Sequence, residues 1–111
     1  MTKLRNLFEL PKNPGAEEYS EILALGDAQI MRIISNGQTT PVDQWYDQDT
    51  DEWAVLLDGE AHLLFEDNEI VVMHKGDYIL IKAHEKHRVI YTITQPPCVW
   101  LVIHSNIALK T

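Results

Sequence analysis

Long apolar runs are missing from this chain of 111 residues. Its longest, such as Val99 to Ile103, fall far below the roughly 20 residues that a membrane-spanning helix requires, so no membrane partner is expected. Cysteine is nearly absent as well: Cys98 is alone and cannot form an internal bridge. The opening residues, Met1 to Asn6, lead into no apolar stretch of the secretory kind, and the expected compartment is a reducing cytoplasm. Basic residues are scarce, 9 Lys and Arg against 17 Asp and Glu, which leaves a formal charge of −8 with no basic cluster to offset it locally. A surface of that sign repels a phosphate backbone, so nucleic acid is not an expected partner. No internal repeat, low-complexity tract or linker divides the chain.

The residues that are present describe one small domain. Apolar types make up 45% of the sequence, enough to bury a single core at this length without metal or disulfide staples. Period-two patterns dominate over helical ones. Ile22 to Leu25, Ile30 to Ile34, Trp53 to Leu57, Ala61 to Phe65, Ile70 to Met73, Tyr78 to Ile81, Val89 to Ile93 and Val99 to Ile103 read as eight short strands. Gly26-Asp27, Asn36-Gly37, Asp58-Gly59, Asp67-Asn68, Lys75-Gly76 and Pro96-Pro97 supply turns between them. Asp58-Gly59 carries the signature of a tight hairpin, because a type I′ turn needs positive φ, which glycine adopts freely. Ala16 to Leu25 reads as an extended or edge strand, although Glu17, Glu18 and Glu21 after Pro14-Gly15 also suit a helix start. Eight closely spaced strands imply an all-β barrel or sandwich.

Within this pattern, Asp51-Glu52-Trp53, Leu57-Asp58-Gly59-Glu60-Ala61, Gly76-Asp77-Tyr78-Ile79-Leu80-Ile81 and His87-Arg88-Val89 occur in that order. This order resembles the two motifs of the cupin superfamily over roughly residues 28 to 104. The resemblance implies a single jelly-roll barrel spanning residues 15–111, preceded by a loose arm over residues 1–14. It also implies an inward-facing metal set, in which Glu52 matches the first motif's glutamate and His87 the second motif's histidine.

The resemblance is incomplete at the remaining ligands. Where the family has a His-x-His pair, this chain reads Gln44-Trp45-Tyr46-Asp47-Gln48, so the replaced positions are Tyr46 and Gln48 or, with the other spacing, Trp45 and Asp47. Lys82 and His84 stand where the second motif has proline and glycine, and Tyr91 where it has asparagine. Asp47 is the stronger replacement ligand because it is anionic, whereas Gln48 offers a neutral amide oxygen. On a regular strand the two cannot share a face. A divalent metal (Mn, Fe, Zn or Ni) is the implied cofactor, bound more weakly than by three imidazoles and a carboxylate, or absent.

Strand parity places His87, Val89 and Tyr91 on one face. A phenol two residues beyond His87 can act as an acid in proton transfer, which makes Tyr91 a candidate catalytic residue; the competing reading is a core or rim tyrosine. His62 can reach a cavity or sit at its rim, and His84 reads as an exposed turn residue. Arg88 reads as a surface or interface charge, and Cys98 as a small buried apolar residue. Trp45, Trp53 and Trp100 line a pocket or fill core and interface. Asp49 and Asp51 belong, on sequence alone, to a solvated acidic loop. The expected partners are a small polar molecule and a second copy of the chain, since unpaired strand edges are commonly covered by another subunit. A metal-assisted enzyme and a metal-free binding or sensory module both satisfy these observations.

Overall fold

The computed structural model describes residues 4–11 and 16–110, and these form strands, turns and loops with no helix among them. Residues 1–3 and 12–14 of the expected arm, together with the Pro14-Gly15 helix-start signal, lie outside the described residues. Eight strands occur among the described residues, each overlapping one read from the sequence. They are β1 (Glu18–Leu25), β2 (Ala28–Ser35), β3 (Asp51–Asp58), β4 (Glu60–Phe65), β5 (Ile70–His74), β6 (Tyr78–Ile81), β7 (His87–Thr92) and β8 (Cys98–Ser105). They form two antiparallel sheets, one of five strands in the order β1-β2-β8-β3-β6 and one of three in the order β5-β4-β7.

Alternation explains how the sheets pack. Ala54 and Leu56 of β3, Ala61, Leu63 and Phe65 of β4, Met73 of β5, Ile81 of β6 and Cys98, Trp100 and Val102 of β8 join one core drawn from both sheets. Complete burial of a side chain such as Leu56 or Met73 contributes roughly 1.5–3 kcal/mol. Cys98 belongs to this core; its thiol donates to the Glu60 carbonyl at 3.2 Å, and burial pushes its pKa up, so it packs as a small apolar residue.

The turns divide into two kinds. Gly26-Asp27 joins β1 to β2, with Leu25 paired to Ala28, and the Asp67-Asn68 region joins β4 to β5; both are hairpins. Asp58-Gly59 is not. It carries the chain from β3 in one sheet to β4 in the other, because β3 pairs with β6 and β8 while β4 pairs with β5 and β7. The local signal was for positive φ, which Gly59 has at 96°, but φ does not specify the pairing partner. Gly59 is also pressed against β8: a Cβ there would lie 2.8 Å from the Cys98 sulfur and 2.9 Å from its Cα.

The edges are treated differently. β7 is flanked by the segment that leads from β2 to β3: Thr40 donates its N–H to the Val89 carbonyl at 2.9 Å, and Tyr46 exchanges backbone hydrogen bonds with His87 at 2.8 and 3.2 Å. β1, by contrast, ends the larger sheet with Ile22, Leu23 and Leu25 exposed. From the glycine geometry, Gly59→Ala is expected to cost about 2–5 kcal/mol, combining left-handed strain with a clash against backbone, and Gly26→Ala about 1–2 kcal/mol, since its Cβ meets open space. Urea denaturation of the two variants checks this; equal losses contradict it.

Candidate functional site

Between the sheets lies a cavity of about 390 Å³, inside the range that small-molecule sites occupy. Its apolar wall includes Met31 and Ile33 of β2 and Trp100 and Val102 of β8. The polar groups come from several separate segments. Glu52 is on β3, His87 on β7, His104 on β8, Tyr46 and Gln48 on the β2–β3 connection, and Glu17 and Tyr19 at the start of β1. Glu52 and His104 are cross-strand partners.

Glu52 and His87 meet across the gap between the two sheets, with 3.6 Å from Oε1 to Nε2. His87 is buried. Its Nδ1 lies 3.0 Å from the Glu85 carbonyl, which can only accept, so Nδ1 carries a proton and Nε2 is the atom presented to Glu52. Burial alone pulls the imidazole pKa down. The Glu52 carboxylate and the Glu85 carbonyl outweigh it, and the net shift is upward from 6.5, toward the imidazolium. Tyr46 stacks on the His87 ring with centroids 5.5 Å apart, and Phe65 flanks it at 5.9 Å.

The choice left open between Asp47 and Gln48 is resolved by the segment's contacts. Gln48 lines the cavity. Asp47 turns outward to His84, with 2.8 Å between Oδ1 and Nδ1, while the Gln48 carbonyl accepts from the His84 backbone N–H at 2.8 Å. Asp47, the anionic one of the two alternatives, is absent from the cavity lining and pairs with His84 instead. Tyr46 and Gln48, one of the two pairs set against the missing His-x-His, both line the cavity. Arg88 helps fix this segment: its guanidinium donates to the Val42 carbonyl and lies 5.8 Å from the Trp45 ring centroid.

Tyr91 lies elsewhere. The β4–β7 register skips at Ile90, so that Leu63 pairs with Val89 but His62 pairs with Tyr91. This bulge reverses the parity beyond Val89 and turns Tyr91 to the outer face, where its ring lies 4.6 Å from that of His62. Tyr91 is exposed, and the geometric premise for its catalytic role is gone. His62 is likewise outside the cavity, 3.0 Å from Glu60. Of the three tryptophans only Trp100 lines the cavity; Trp53 contacts Tyr78.

Glu17 and Tyr19 were not singled out from sequence as site residues. The Tyr19 hydroxyl donates to Glu17 at 2.6 Å and lies 3.2 Å from the Tyr46 hydroxyl, while Ser35 donates to the other Glu17 oxygen at 2.7 Å. Burial, with the Glu17 carboxylate next, pushes the Tyr19 phenol upward, so it remains a donor. No short-range pattern in the sequence announces this cluster.

The residues from 30 to 104 match the family model described as a cupin domain. The chain belongs to the cupin family. Among solved structures, this cupin resembles a provisionally named mannose-6-phosphate isomerase from Ralstonia eutropha, with 38% identity, a TM-score of 0.87, and coverage of 96% of this chain and 100% of that one. It also resembles a cupin superfamily protein from Desulfitobacterium hafniense, at 15% identity and a TM-score of 0.72 over 88% of this chain and 84% of that one. A protein from Thermus thermophilus matches at 17% identity and a TM-score of 0.74, over 95% and 98% of the respective chains. The last two likenesses concern the fold alone. Among curated proteins nothing matches the chain.

Among the described residues, no three His, Cys, Asp or Glu side chains are grouped so as to hold a metal ion. Glu52 and His87 supply one carboxylate and one imidazole, His104 lines the same cavity as the cross-strand partner of Glu52, and Gln48 adds a neutral amide in place of the family's His-x-His pair. Among the described residues no third such ligand joins Glu52 and His87 to complete the family's set.

Asp51, next to Glu52, is buried rather than part of a solvated loop. It accepts backbone N–H bonds from Ala83 and Ile107, each at 2.9 Å, and pairs with Lys82 at 3.0 Å, so β3, the turn after β6 and the segment after β8 meet on one carboxylate. The Ile107 and Ala83 N–H groups, followed by Lys82, hold its pKa down from 3.8 to about 2. The unfolded chain therefore takes up this proton first, so the stabilisation is complete above 3.8 and lost as pH falls toward about 2. Asp51→Asn should lower stability near neutrality, and its deficit relative to the wild type should shrink through that window in urea denaturation; a deficit constant with pH counts against it.

Proposed function

We propose that this cupin binds a small polar molecule between its sheets, without requiring a resident metal, and that the Glu52–His87 pair contacts the ligand. The observation that carries this reading is their 3.6 Å approach beside a cavity of about 390 Å³. The two groups oppose each other as carboxylate and imidazole at ion-pair distance, and both can exchange hydrogen bonds or a proton with a ligand that enters. Gln48 and Tyr46 add a neutral amide and a phenol on the same wall. Trp100 and the aliphatic residues opposite supply the apolar surface that ligand sites use for affinity.

Metal analysis and a thermal-shift screen with and without EDTA test the proposal. Purified protein should contain negligible divalent metal. Neutral sugars or carboxylic acids that bind should raise Tm equally with and without chelator, by a few degrees at about ten times Kd, where binding adds about 1.4 kcal/mol. Glu52→Ala and His87→Ala should lose most of that rise. Stoichiometric metal in the wild type that disappears in both variants, with every ligand response abolished by EDTA, overturns the metal-free reading.

The exposed edge of β1 supports a second proposal: two copies pair there into a homodimer. An unpaired strand presents free backbone donors and acceptors, and here it adds Ile22, Leu23 and Leu25 as apolar surface. Light scattering should give twice the 12.8 kDa chain mass, and a proline at Leu23 should shift the mass toward the monomer. A monomeric wild type rejects this arrangement.

A further inference from the structure

The cavity has a second carboxylate, remote in sequence from the Glu52–His87 pair. Glu17 lines it and is held by two hydroxyl donors, Tyr19 at 2.6 Å and Ser35 at 2.7 Å. Ser35 is buried, and Tyr46, which stacks on His87, reaches the same cluster through its 3.2 Å contact with Tyr19. The carboxylate is thus fixed in place rather than free to swing into solvent. Among the described residues lining the cavity there is no lysine or arginine. Against two carboxylates the only positive charge available is an imidazolium, from His87, which Glu52 already opposes, or from His104, the cross-strand partner of the same Glu52.

We propose that Glu17 sets the charge selectivity of this cavity, which accepts an uncharged polyhydroxylated molecule and rejects its phosphate ester. This inference rests on the small-molecule reading given above. A sugar hydroxyl can donate to the Glu17 carboxylate and exchange hydrogen bonds with the Tyr19 and Tyr46 hydroxyls and the Gln48 amide. A phosphate dianion entering the same space loses its hydration, meets a fixed negative charge and finds no guanidinium or ammonium to replace the lost water. The formal charge of −8 on the whole chain opposes its approach as well. The name of the Ralstonia relative includes a sugar phosphate, but the groups that recognise such a dianion do not line this cavity.

Calorimetric titration of the full-length protein with matched probes, mannose and glucose against their 6-phosphates at constant ionic strength, tests the proposal. In the wild type, a neutral sugar should bind at least about tenfold more tightly than its phosphate. Glu17→Gln preserves the shape and the contact with Tyr19 while removing the charge, so it should reduce that ratio several-fold. Ser35→Ala, which releases one anchor of Glu17, should move the ratio in the same direction by less. A phosphate that binds the wild type as tightly as its parent sugar, or a ratio unchanged in Glu17→Gln, overturns the role of Glu17 and leaves the ligand-binding reading standing. Failure of all four probes to bind overturns the polyhydroxylated ligand itself, and with it this inference.

Discussion

The approach of one carboxylate and one imidazole across the space between two sheets organises everything polar in this molecule. Glu52 belongs to the larger sheet and His87 to the smaller, so their 3.6 Å separation is a tertiary fact that neither strand produces alone. Burial by itself pulls the imidazole pKa down, and the opposing carboxylate, with the Glu85 carbonyl, more than offsets it. The aromatic rings of Tyr46 and Phe65 confine the imidazole, and the Glu85 carbonyl fixes which nitrogen faces inward. A group so constrained would meet the proposed ligand already ordered, which lowers the ordering cost of binding.

The sequence made the strands legible because alternation and turn chemistry are local properties. All eight strands follow from apolar period and from residues such as Gly26 and Asn68 that tolerate positive φ. What it could not disclose depended on partners distant in the chain. Asp58-Gly59 revealed its backbone angle but not that β4 would join a different sheet. Tyr91 followed strand parity until the register skipped at Ile90, an irregularity with no mark in residue type. Asp51 looked like one acid among several, and its burial arises from N–H groups 32 and 56 residues away. Asp47 and Gln48 were chemically plausible alternatives, separated only by the position of His84.

The same distinction governs what family membership conveys. The cupin domain match and the shared architecture concern the arrangement of the strands. They do not fix the charge of the cavity, which depends on individual lining side chains such as Glu17, Glu52 and His87. Two relatives with one backbone can therefore differ in the molecules they take.

The segment from Gln38 to Tyr46 supplies part of the cavity wall, with Thr39, Thr40, Pro41 and Tyr46 among its lining. It is held against β7 largely through the main chain, by Thr40 with Val89 and by Tyr46 with His87, with the Thr92 hydroxyl reaching the Gln38 carbonyl. Main-chain bonding is indifferent to residue type, so, with the Thr40 hydroxyl that accepts from the Val89 N–H, the Thr92 hydroxyl that donates to the Gln38 carbonyl and the Arg88 guanidinium kept as side-chain anchors, substitutions at other positions can rewrite the wall while leaving the attachment in place. This part of the fold works as an exchangeable panel on a permanent frame, giving evolution or a protein engineer a place to change the bound molecule while leaving the scaffold intact.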